Sequence, residues 1–119
     1  EALPGQGYRL VRPPDFMTQP VLEYCLGDGR MIQAYEELDS TNRAAKDWAA
    51  QGAPAGSLVT ARVQKAGRGR KGRTWQADPE AGIAMSLVLR PGAVPGGVQS
   101  ITLLTAVAVC LAQRRMDGR

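Results

Sequence analysis

Six of the twelve residues from Arg62 to Arg73 are lysine or arginine, and none is acidic. Three glycines, Gly67, Gly69 and Gly72, are interspersed among these cations. Burying so many unpaired charges would be very costly. Any fold that this chain adopts must therefore present the segment at its surface, as one cationic loop on a folded body.

The rest of the chain has the composition of one small folded domain. Its 119 residues are 44% hydrophobic, which excludes a disordered tail, and its 14 glycines and 8 prolines show no collagen-like period. Outside the cationic segment there are nine basic and eleven acidic side chains, so a slightly acidic body carries the loop. Nucleic acid, a phosphate-bearing small molecule or an acidic surface would each suit such a loop.

Composition also excludes several function classes. The absence of histidine rules out Ser-His-Asp triads, Cys-His pairs and histidine-based metal sites, and we predict no metal site. Cys25 and Cys110 are predicted to be reduced, buried thiols, because the chain shows no secretory signal. The longest apolar run, Ile101–Leu111, is about half the length of a membrane span. We therefore predict a cytoplasmic protein that does not contact a membrane.

Three segments have helical patterns, namely residues 18–26, 43–51 and 98–116. Thr18 is suited to cap the first helix, and Gly27 is suited to end it. Ser40 or Thr41 is the natural N-cap of the second, whose apolar face includes Trp48 as a predicted core residue. The third is apolar nearly all round in its middle, so it should be buried on most sides.

Four segments have strand patterns, namely Tyr8–Val11, Met31–Leu38, Ser57–Gln64 and Ile83–Leu89. In the third of these, the side chains of Val59, Ala61 and Val63 point one way and the alternate ones point the other. Pro91 stops the fourth strand. The pattern predicts an α+β fold with a mixed sheet and packed helices.

The string from Gly67 to Gly72 has the G-x-G-x-x-G spacing of dinucleotide-binding folds. That motif must open a helix, whereas residues 73–82 contain proline and glycine and lack helical periodicity. The P-loop pattern also fails, because no Gly-Lys-Ser/Thr sequence ends the string. What remains is a loop whose backbone N–H and guanidinium groups suit a phosphate. The alternatives are a basic loop that is only solvated, or one that contacts RNA or DNA nonspecifically.

A polar tetrapeptide, Asp39-Ser40-Thr41-Asn42, stands directly before the second predicted helix. Such residues are ordinary helix caps, and at a helix N-terminus they also bind the polar head of a ligand. Gln64 ends a strand, where its side chain forms hydrogen bonds with the backbone of the following loop or with a ligand. Trp75 either packs in the core or covers the flat ring of a ligand. The residues alone leave these alternatives open.

Taken in order, three motifs resemble those of the biotin protein ligases. They are Asp39-Ser40-Thr41-Asn42, the string Gln64-Lys65-Ala66-Gly67-Arg68-Gly69-Arg70-Lys71-Gly72-Arg73-Thr74-Trp75, and an Ile83–Pro91 strand that contains Ser86 and Leu87. The resemblance extends from about Met17 to the end of the chain. It implies an incomplete fold of the class II aminoacyl-tRNA synthetase-like type that biotin and lipoate ligases share.

The resemblance implies an enzyme that joins biotin and ATP into biotinyl-5′-adenylate, releases pyrophosphate and passes biotin to a lysine of a carboxylase carrier domain. The residues that it assigns to the biotin and adenylate site are Ser40, Thr41, Asn42, Gln64, Gly67, Arg68, Gly69, Arg70 and Trp75. Catalytic roles fall to Arg70 and Arg73, whose positive charge, alongside Mg²⁺, would offset the repulsion between the attacking carboxylate and the α-phosphate.

The same resemblance divides the chain into two parts. Residues 1–15 resemble a remnant of a winged helix-turn-helix domain and its linker, and residues 16–119 resemble the N-terminal part of a ligase catalytic domain. The family's later Lys-Trp-Pro-Asn-Asp motif is absent, so we expect a fragment that cannot complete catalysis alone. The implied partners are a biotin carboxyl carrier domain, a second copy in a homodimer, and DNA only through a missing N-terminal domain.

Two alternatives stay open. A lipoate-type ligase shares the adenylation chemistry, but its usual signature continues into histidine, which this chain lacks. A nucleic-acid-binding module built on the basic loop would bind DNA with an affinity that falls steeply with salt and does not respond to biotin.

Overall fold

The computed structural model of the chain describes residues 2–3, 7–8, 17–69, 73–75, 82–93 and 96–118. These residues form a mixed α+β structure. In chain order its elements are β1 (Ala2–Leu3), β2 (Gly7–Tyr8), α1 (Gln19–Leu26), β3 (Ile32–Leu38), α2 (Thr41–Ala50), β4 (Leu58–Gln64), β5 (Gly67–Arg68), β6 (Thr74–Trp75), β7 (Ala84–Leu87) and α3 (Ile101–Met116), with 3₁₀ turns at Pro91–Ala93 and Val98–Ser100.

A three-stranded sheet in the order β3-β4-β7 forms the centre of the described structure. β3 and β4 run parallel, with Ile32 opposite Leu58 and Leu38 opposite Gln64. β7 pairs antiparallel with β4, with Leu87 opposite Leu58. Helix α2 supplies the crossover that two parallel strands require, and it packs on β4 and β7. The prediction of a mixed sheet with packed helices is confirmed.

The core lies between α2 and one face of β4. Val59 is fully buried and packs with Ala45 of α2 and with Val88, and the half-buried Trp48 covers this cluster. Small alanine side chains let the helix approach the sheet closely, and burying a side chain such as Val59 stabilises the fold by about 2 kcal/mol. The prediction that Trp48 belongs to the core side of its helix is confirmed.

The helices lie close to their predicted positions. α2 begins at Thr41, two residues earlier than predicted, because Ser40 is its N-cap and accepts a hydrogen bond from the Arg43 N–H. α1 ends as predicted at Gly27, whose φ of 57° is in the left-handed region that glycine adopts freely. Thr18 occupies the predicted N-cap position of α1, although its side chain makes no capping hydrogen bond.

The strands are shorter than their sequence patterns. β3 and β4 each lack only the first predicted residue, whereas β7 is confined to four residues because its ladder with β4 spans Leu58–Ala61. Near the N-terminus, a strand is predicted at Tyr8–Val11. The structure has a strand at Gly7–Tyr8, which pairs with Ala2–Leu3 and overlaps the prediction at Tyr8. Residues 9–11 of that prediction lie outside the described residues.

Helix α3 contradicts the expectation of burial. It forms within the predicted bounds, but its residues beyond Ile101 are all exposed, with Leu103 at 70%. Its main described contact is with the 3₁₀ turn directly before it. Apolar composition favours a helix, but burial also requires a facing surface, and the described residues do not provide one for α3.

The prediction of buried thiols is also wrong. Cys25 and Cys110 are both free, as predicted, but both are exposed. Cys25 belongs to α1, which buries none of its residues fully, and Cys110 belongs to the uncovered α3. Apolar neighbours in the sequence therefore did not indicate which helix faces are covered.

Candidate functional site

The carboxyl ends of β3 and β4 lie side by side, because the two strands are parallel. β3 leads through Asp39 and Ser40 into α2, and β4 ends at Gln64 and leads into the cationic segment. The start of α2 and the cationic segment are therefore neighbours at one edge of the sheet. Ligands of doubly wound α/β sheets bind at the equivalent edge of their parallel strands.

Backbone hydrogen bonds extend this pairing beyond the strands. The Lys65 N–H donates to the Leu38 carbonyl, with an N···O distance of 3.0 Å, and the Ala66 N–H donates to the Asp39 carbonyl at 2.8 Å. The base of the cationic segment is therefore held against the polar tetrapeptide by main-chain contacts, which do not depend on the side chains at these positions.

Three polar side chains meet at this edge, and we call Thr41, Gln64 and Ser86 the polar cluster. The backbone N–H and the hydroxyl of Thr41 both donate to Gln64 Oε1, at 2.8 and 3.1 Å. The Thr41 hydroxyl oxygen also lies 3.0 Å from Ser86 Oγ of β7. Thr41 is 4% exposed, and Gln64 and Ser86 are half-buried. The structure thus joins two predicted site residues, one from each motif.

Ser86 is a member of the cluster that the sequence reasoning did not assign to the site. It appeared there only as part of the motif in the last strand. A signal was present, because Ser86 alternates with the outward-facing Met85 and Leu87 and so points to the face that α2 covers. A hydroxyl on a covered face requires a hydrogen-bond partner, and Thr41 provides it.

Ser40 and Asn42 form no hydrogen bond with the three side chains of the polar cluster. Ser40 is 7% exposed; its side chain accepts from the Arg43 N–H at 3.4 Å, and its carbonyl accepts from the Ala44 N–H at 3.0 Å. Asn42 is exposed on the first turn of α2. The N–H groups of Thr41 and Arg43 are thus satisfied within the protein, which limits the use of this helix start as an anion site.

The glycine-rich string is the start of a β-hairpin. β5 pairs antiparallel with β6, and the Gly69 N–H donates to the Arg73 carbonyl at 2.7 Å. A strand, not a helix, therefore follows the glycines, and the exclusion of a dinucleotide-binding loop is confirmed. Gly67 is buried at the base of the hairpin. Arg70 and the side chain of Trp75 lie outside the described residues.

Two cations at the base of the hairpin are paired with acids from β3. Arg62 forms an ion pair with Glu36, and Lys65 forms one with Glu37. The hydrogen bond to Glu37 is the main cause that raises the pKa of Lys65 above its ordinary value, and the negative charge of Glu37 adds to it. These two cations are therefore engaged within the protein.

The described cations nearer the tip of the hairpin have no such partners. Arg68 and Arg73 are exposed, and neither forms an ion pair with another described residue. The sequence suggested a uniform cationic loop, whereas the described cations differ: Arg62 and Lys65 are paired, and Arg68 and Arg73 are not. Among the described cations of this segment, those available to a ligand are therefore Arg68 and Arg73 of the hairpin, which do not pair with the acids of β3.

Among the residues that the structure describes, no group of three or more cysteine, aspartate or glutamate side chains is arranged to hold a metal ion. The described helices include none with the length and apolar character needed to cross a bilayer.

Comparison with known proteins places the chain among protein ligases. Residues 34–118, which are most of the chain, match the model of the biotin/lipoate A/B protein ligase family. The chain belongs to this family, and the resemblance stated from its motifs is confirmed.

Two relatives illustrate the similarity. The chain is 38% identical over 112 residues to the bifunctional ligase/repressor BirA of Bacillus subtilis, which covers 92% of the chain and 34% of that protein. It is 27% identical over 116 residues to the bifunctional ligase/repressor BirA of Escherichia coli, which covers 98% of the chain and 36% of that protein. The chain thus spans about a third of the length of these relatives.

Proposed function

We propose that the chain is the biotin- and adenylate-binding part of a biotin protein ligase. Membership of the biotin/lipoate A/B protein ligase family and similarity to BirA proteins support this role and favour biotin over lipoate. The observation that carries the proposal is the polar cluster at the base of an arginine-bearing hairpin, because it combines neutral hydrogen-bonding groups with unpaired positive charge.

In the proposed reaction, the biotin carboxylate attacks the α-phosphate of ATP, which forms biotinyl-5′-adenylate and releases pyrophosphate. A lysine amine of a carboxylase carrier domain then attacks the mixed anhydride, which forms an amide and releases AMP. Mg²⁺ would enter the site together with ATP and offset part of the phosphate charge. Positive charge from the hairpin would reduce the repulsion between carboxylate and phosphate.

The proposed roles follow the position of each residue. The biotin head would be held by Ser40, Thr41, Asn42 and Gln64, and the hairpin that closes over biotin and adenylate would include Gly67, Arg68, Gly69 and Arg70, with Trp75 near the nucleotide. Arg70 and Arg73 would supply the catalytic positive charge. A neutral cluster suits the uncharged ureido ring of biotin, whose donors and acceptor have fixed positions.

The proposal extends to the organisation of the parent protein. Residues 1–15 would be a remnant of a winged helix-turn-helix domain with its linker, and residues 16–119 the N-terminal part of a catalytic domain with the class II synthetase-like fold. The parent would be cytoplasmic, would act on a biotin carboxyl carrier domain, would form homodimers, and would bind DNA through the N-terminal domain alone. This fragment would not complete the reaction by itself.

Calorimetric titration of the chain with biotin, lipoate and nonspecific duplex DNA tests the proposal. We expect saturable binding of one biotin, weakened about tenfold or more in Gln64→Ala because two hydrogen bonds to the cluster are lost. Lys46→Met, on the exposed side of α2, is the matched control and should bind as the unaltered chain does. Lipoate binding as tight as biotin binding, or salt-sensitive DNA binding without any response to biotin, would contradict the proposal.

A further inference from the structure

We infer that Ser86 is a positioning residue that acts through Thr41 to fix which way the side-chain amide of Gln64 faces. The nature of the ligand in this inference rests on the proposed function, but the hydrogen-bond argument does not. It follows from counting the donors and acceptors of three side chains.

The first step is the identity of the Gln64 atom that faces Thr41. The backbone N–H of Thr41 is a donor and cannot accept, so the atom 2.8 Å from it must be an acceptor. That requirement selects Oε1 over Nε2 on chemical grounds alone. The Thr41 N–H, at the start of α2, therefore supplies the first of two hydrogen bonds that orient the amide.

The second step is the direction of the hydroxyl bonds. Oε1 carries no hydrogen, so at 3.1 Å the Thr41 hydroxyl must donate to it. Each hydroxyl has one hydrogen, and that of Thr41 is then used. The 3.0 Å contact with Ser86 can consequently be a hydrogen bond only if Ser86 donates to the Thr41 oxygen. The hydrogen bonds of the cluster therefore all donate in one direction: Ser86 donates to Thr41, and Thr41 donates to Gln64. We call this chain of hydrogen bonds the relay.

The third step is what this relay presents to a ligand. With Oε1 engaged twice, Gln64 Nε2 points away from Thr41, and none of the described residues accepts a hydrogen bond from it. The cluster therefore offers N–H donors and selects a ligand that places an acceptor oxygen there, such as the carbonyl of a cyclic urea. A ligand with a hydrogen-bond donor at the same place would bind more weakly, because its donor would face the Gln64 Nε2 donor and neither could accept.

Ser86 contributes to this selectivity without touching the ligand. Its donated hydrogen bond holds the Thr41 hydroxyl in the rotamer that points at Gln64. When Ser86 is removed, the Thr41 hydroxyl can turn elsewhere, and one of the two bonds that hold the Gln64 amide is weakened.

A measurement without ligand tests the relay directly. In Ser86→Ala, we expect the Thr41 backbone amide to exchange with solvent about fivefold faster, because its acceptor is held less firmly. Ser86→Thr keeps the hydroxyl and should restore slow exchange. Ser57→Ala is the matched control, since Ser57 is a buried serine beside the same sheet whose hydroxyl has no partner among the described residues. Equal exchange in Ser86→Ala and the unaltered chain would overturn the inference.

A second measurement tests selectivity, with biotin and 2-iminobiotin as probes. Below its pKa, 2-iminobiotin carries a donor where biotin carries the carbonyl oxygen. We expect the unaltered chain to prefer biotin, Ser86→Ala to lose about fivefold of that preference, and Ser86→Thr to regain it. Gln64→Glu replaces the outward donor by an acceptor and should reverse the preference.

The two measurements separate the inference from the proposed function. If the unaltered chain binds biotin but Ser86→Ala alters neither amide exchange nor preference, the inference fails and the proposed function stands. If the chain does not bind biotin, the proposed function fails, and the exchange of the Thr41 amide still decides whether Ser86 orients the cluster.

Discussion

The side chain of Arg90 donates a hydrogen bond to a backbone carbonyl in the last turn of α2. The last carbonyls of a helix have no partner within it. Here Arg90 Nη2 donates to the Ala49 carbonyl in the last turn of α2 at 3.0 Å and to the Ala53 carbonyl just after the helix at 2.7 Å. A cation at this end also interacts favourably with the helix dipole. Arg90 thereby links the segment after β7 to the helix whose other end holds the polar cluster.

We predict that Arg90→Met lowers the free energy of unfolding by about 1 kcal/mol, because two carbonyls lose a charged donor while the aliphatic stem is kept. Urea denaturation measures this change. Lys46→Met removes a cation from the exposed side of the same helix and should change stability much less. Equal effects of the two substitutions would show that Arg90 acts only through its charge.

Asp28 and Arg30 form a second local contact, in the loop before β3. Arg30 donates to both carboxylate oxygens of Asp28, and its backbone N–H also donates to Oδ1. The side-chain hydrogen bond from Arg30 is the main cause that lowers the pKa of Asp28 to about 2. The lowered value stabilises the folded chain above the ordinary aspartate pKa near 3.8, and this contribution is lost as the pH falls toward 2.

We therefore predict a carboxyl titration of Asp28 with a midpoint of about 2 in the folded chain. In Arg30→Met the midpoint should return toward 3.8. Carbon-detected NMR of the side-chain carboxyl measures both values. A midpoint near 3.8 in the unaltered chain would show that the contact with Arg30 does not persist in solution.

At the scale of elements, α2 contributes its N-terminus to the candidate site and its apolar face to the core. Ser40 caps the helix, and the same hydroxyl is proposed to contact biotin. The two roles can be separated, because glycine is a tolerable N-cap and alanine is a poor one.

We predict that Ser40→Ala lowers the free energy of unfolding by about 1 kcal/mol and that Ser40→Gly lowers it by only a few tenths. Biotin affinity should fall equally in both, because both lack the hydroxyl. Thermal denaturation and calorimetric titration measure the two effects. Affinity that instead follows stability would mean that Ser40 serves the site only as a cap.

Local patterns in the sequence predicted most of the elements, because alternation, helical periodicity and capping residues act over a few neighbouring positions. The polar tetrapeptide and Gln64 were assigned to one site through the resemblance to the biotin protein ligases, because their residue types alone left a capping role open. Their contact was not predictable, since it depends on the parallel pairing of β3 with β4 and on the crossover through α2. Ser86 was missed for the same reason: its partner belongs to a different element.

Charge showed a similar limit. The sequence indicates where cations are concentrated, but the acids that neutralise Arg62 and Lys65 come from β3, more than twenty positions earlier in the chain. Only the register of the sheet reveals that, among the described cations, these two are paired whereas Arg68 and Arg73 are not. The burial of α3 and of the two cysteines was overestimated because composition does not show which surfaces face each other.

At the scale of the whole molecule, the chain is extended and exposes apolar surface on α3. The radius of gyration is 17.0 Å, whereas a compact chain of this length would have about 13.5 Å. Along α3, the exposed fractions of Leu103, Val107 and Leu111 are 70%, 49% and 54%. An apolar surface of this kind is typical of a region that associates with another surface.

We predict that the chain self-associates as its concentration rises. The double substitution Leu103→Gln and Leu111→Gln should shift association to at least about tenfold higher concentration by removing exposed apolar area. Sedimentation velocity measures the shift. The control pair Gln113→Ala and Lys46→Ala removes polar groups and should leave association unchanged. A monomer at all concentrations would contradict this account of α3.

The most direct test of the central claim is calorimetric titration with biotinol-5′-AMP, a stable analogue of the proposed intermediate. We predict one saturable site that binds the analogue more tightly than biotin, with affinity reduced about tenfold or more in both Gln64→Ala and Arg73→Met and unchanged in Lys46→Met. No saturable binding, or equal affinity in the two site variants and the unaltered chain, would contradict the assignment of this edge of the sheet as a biotinyl-adenylate site.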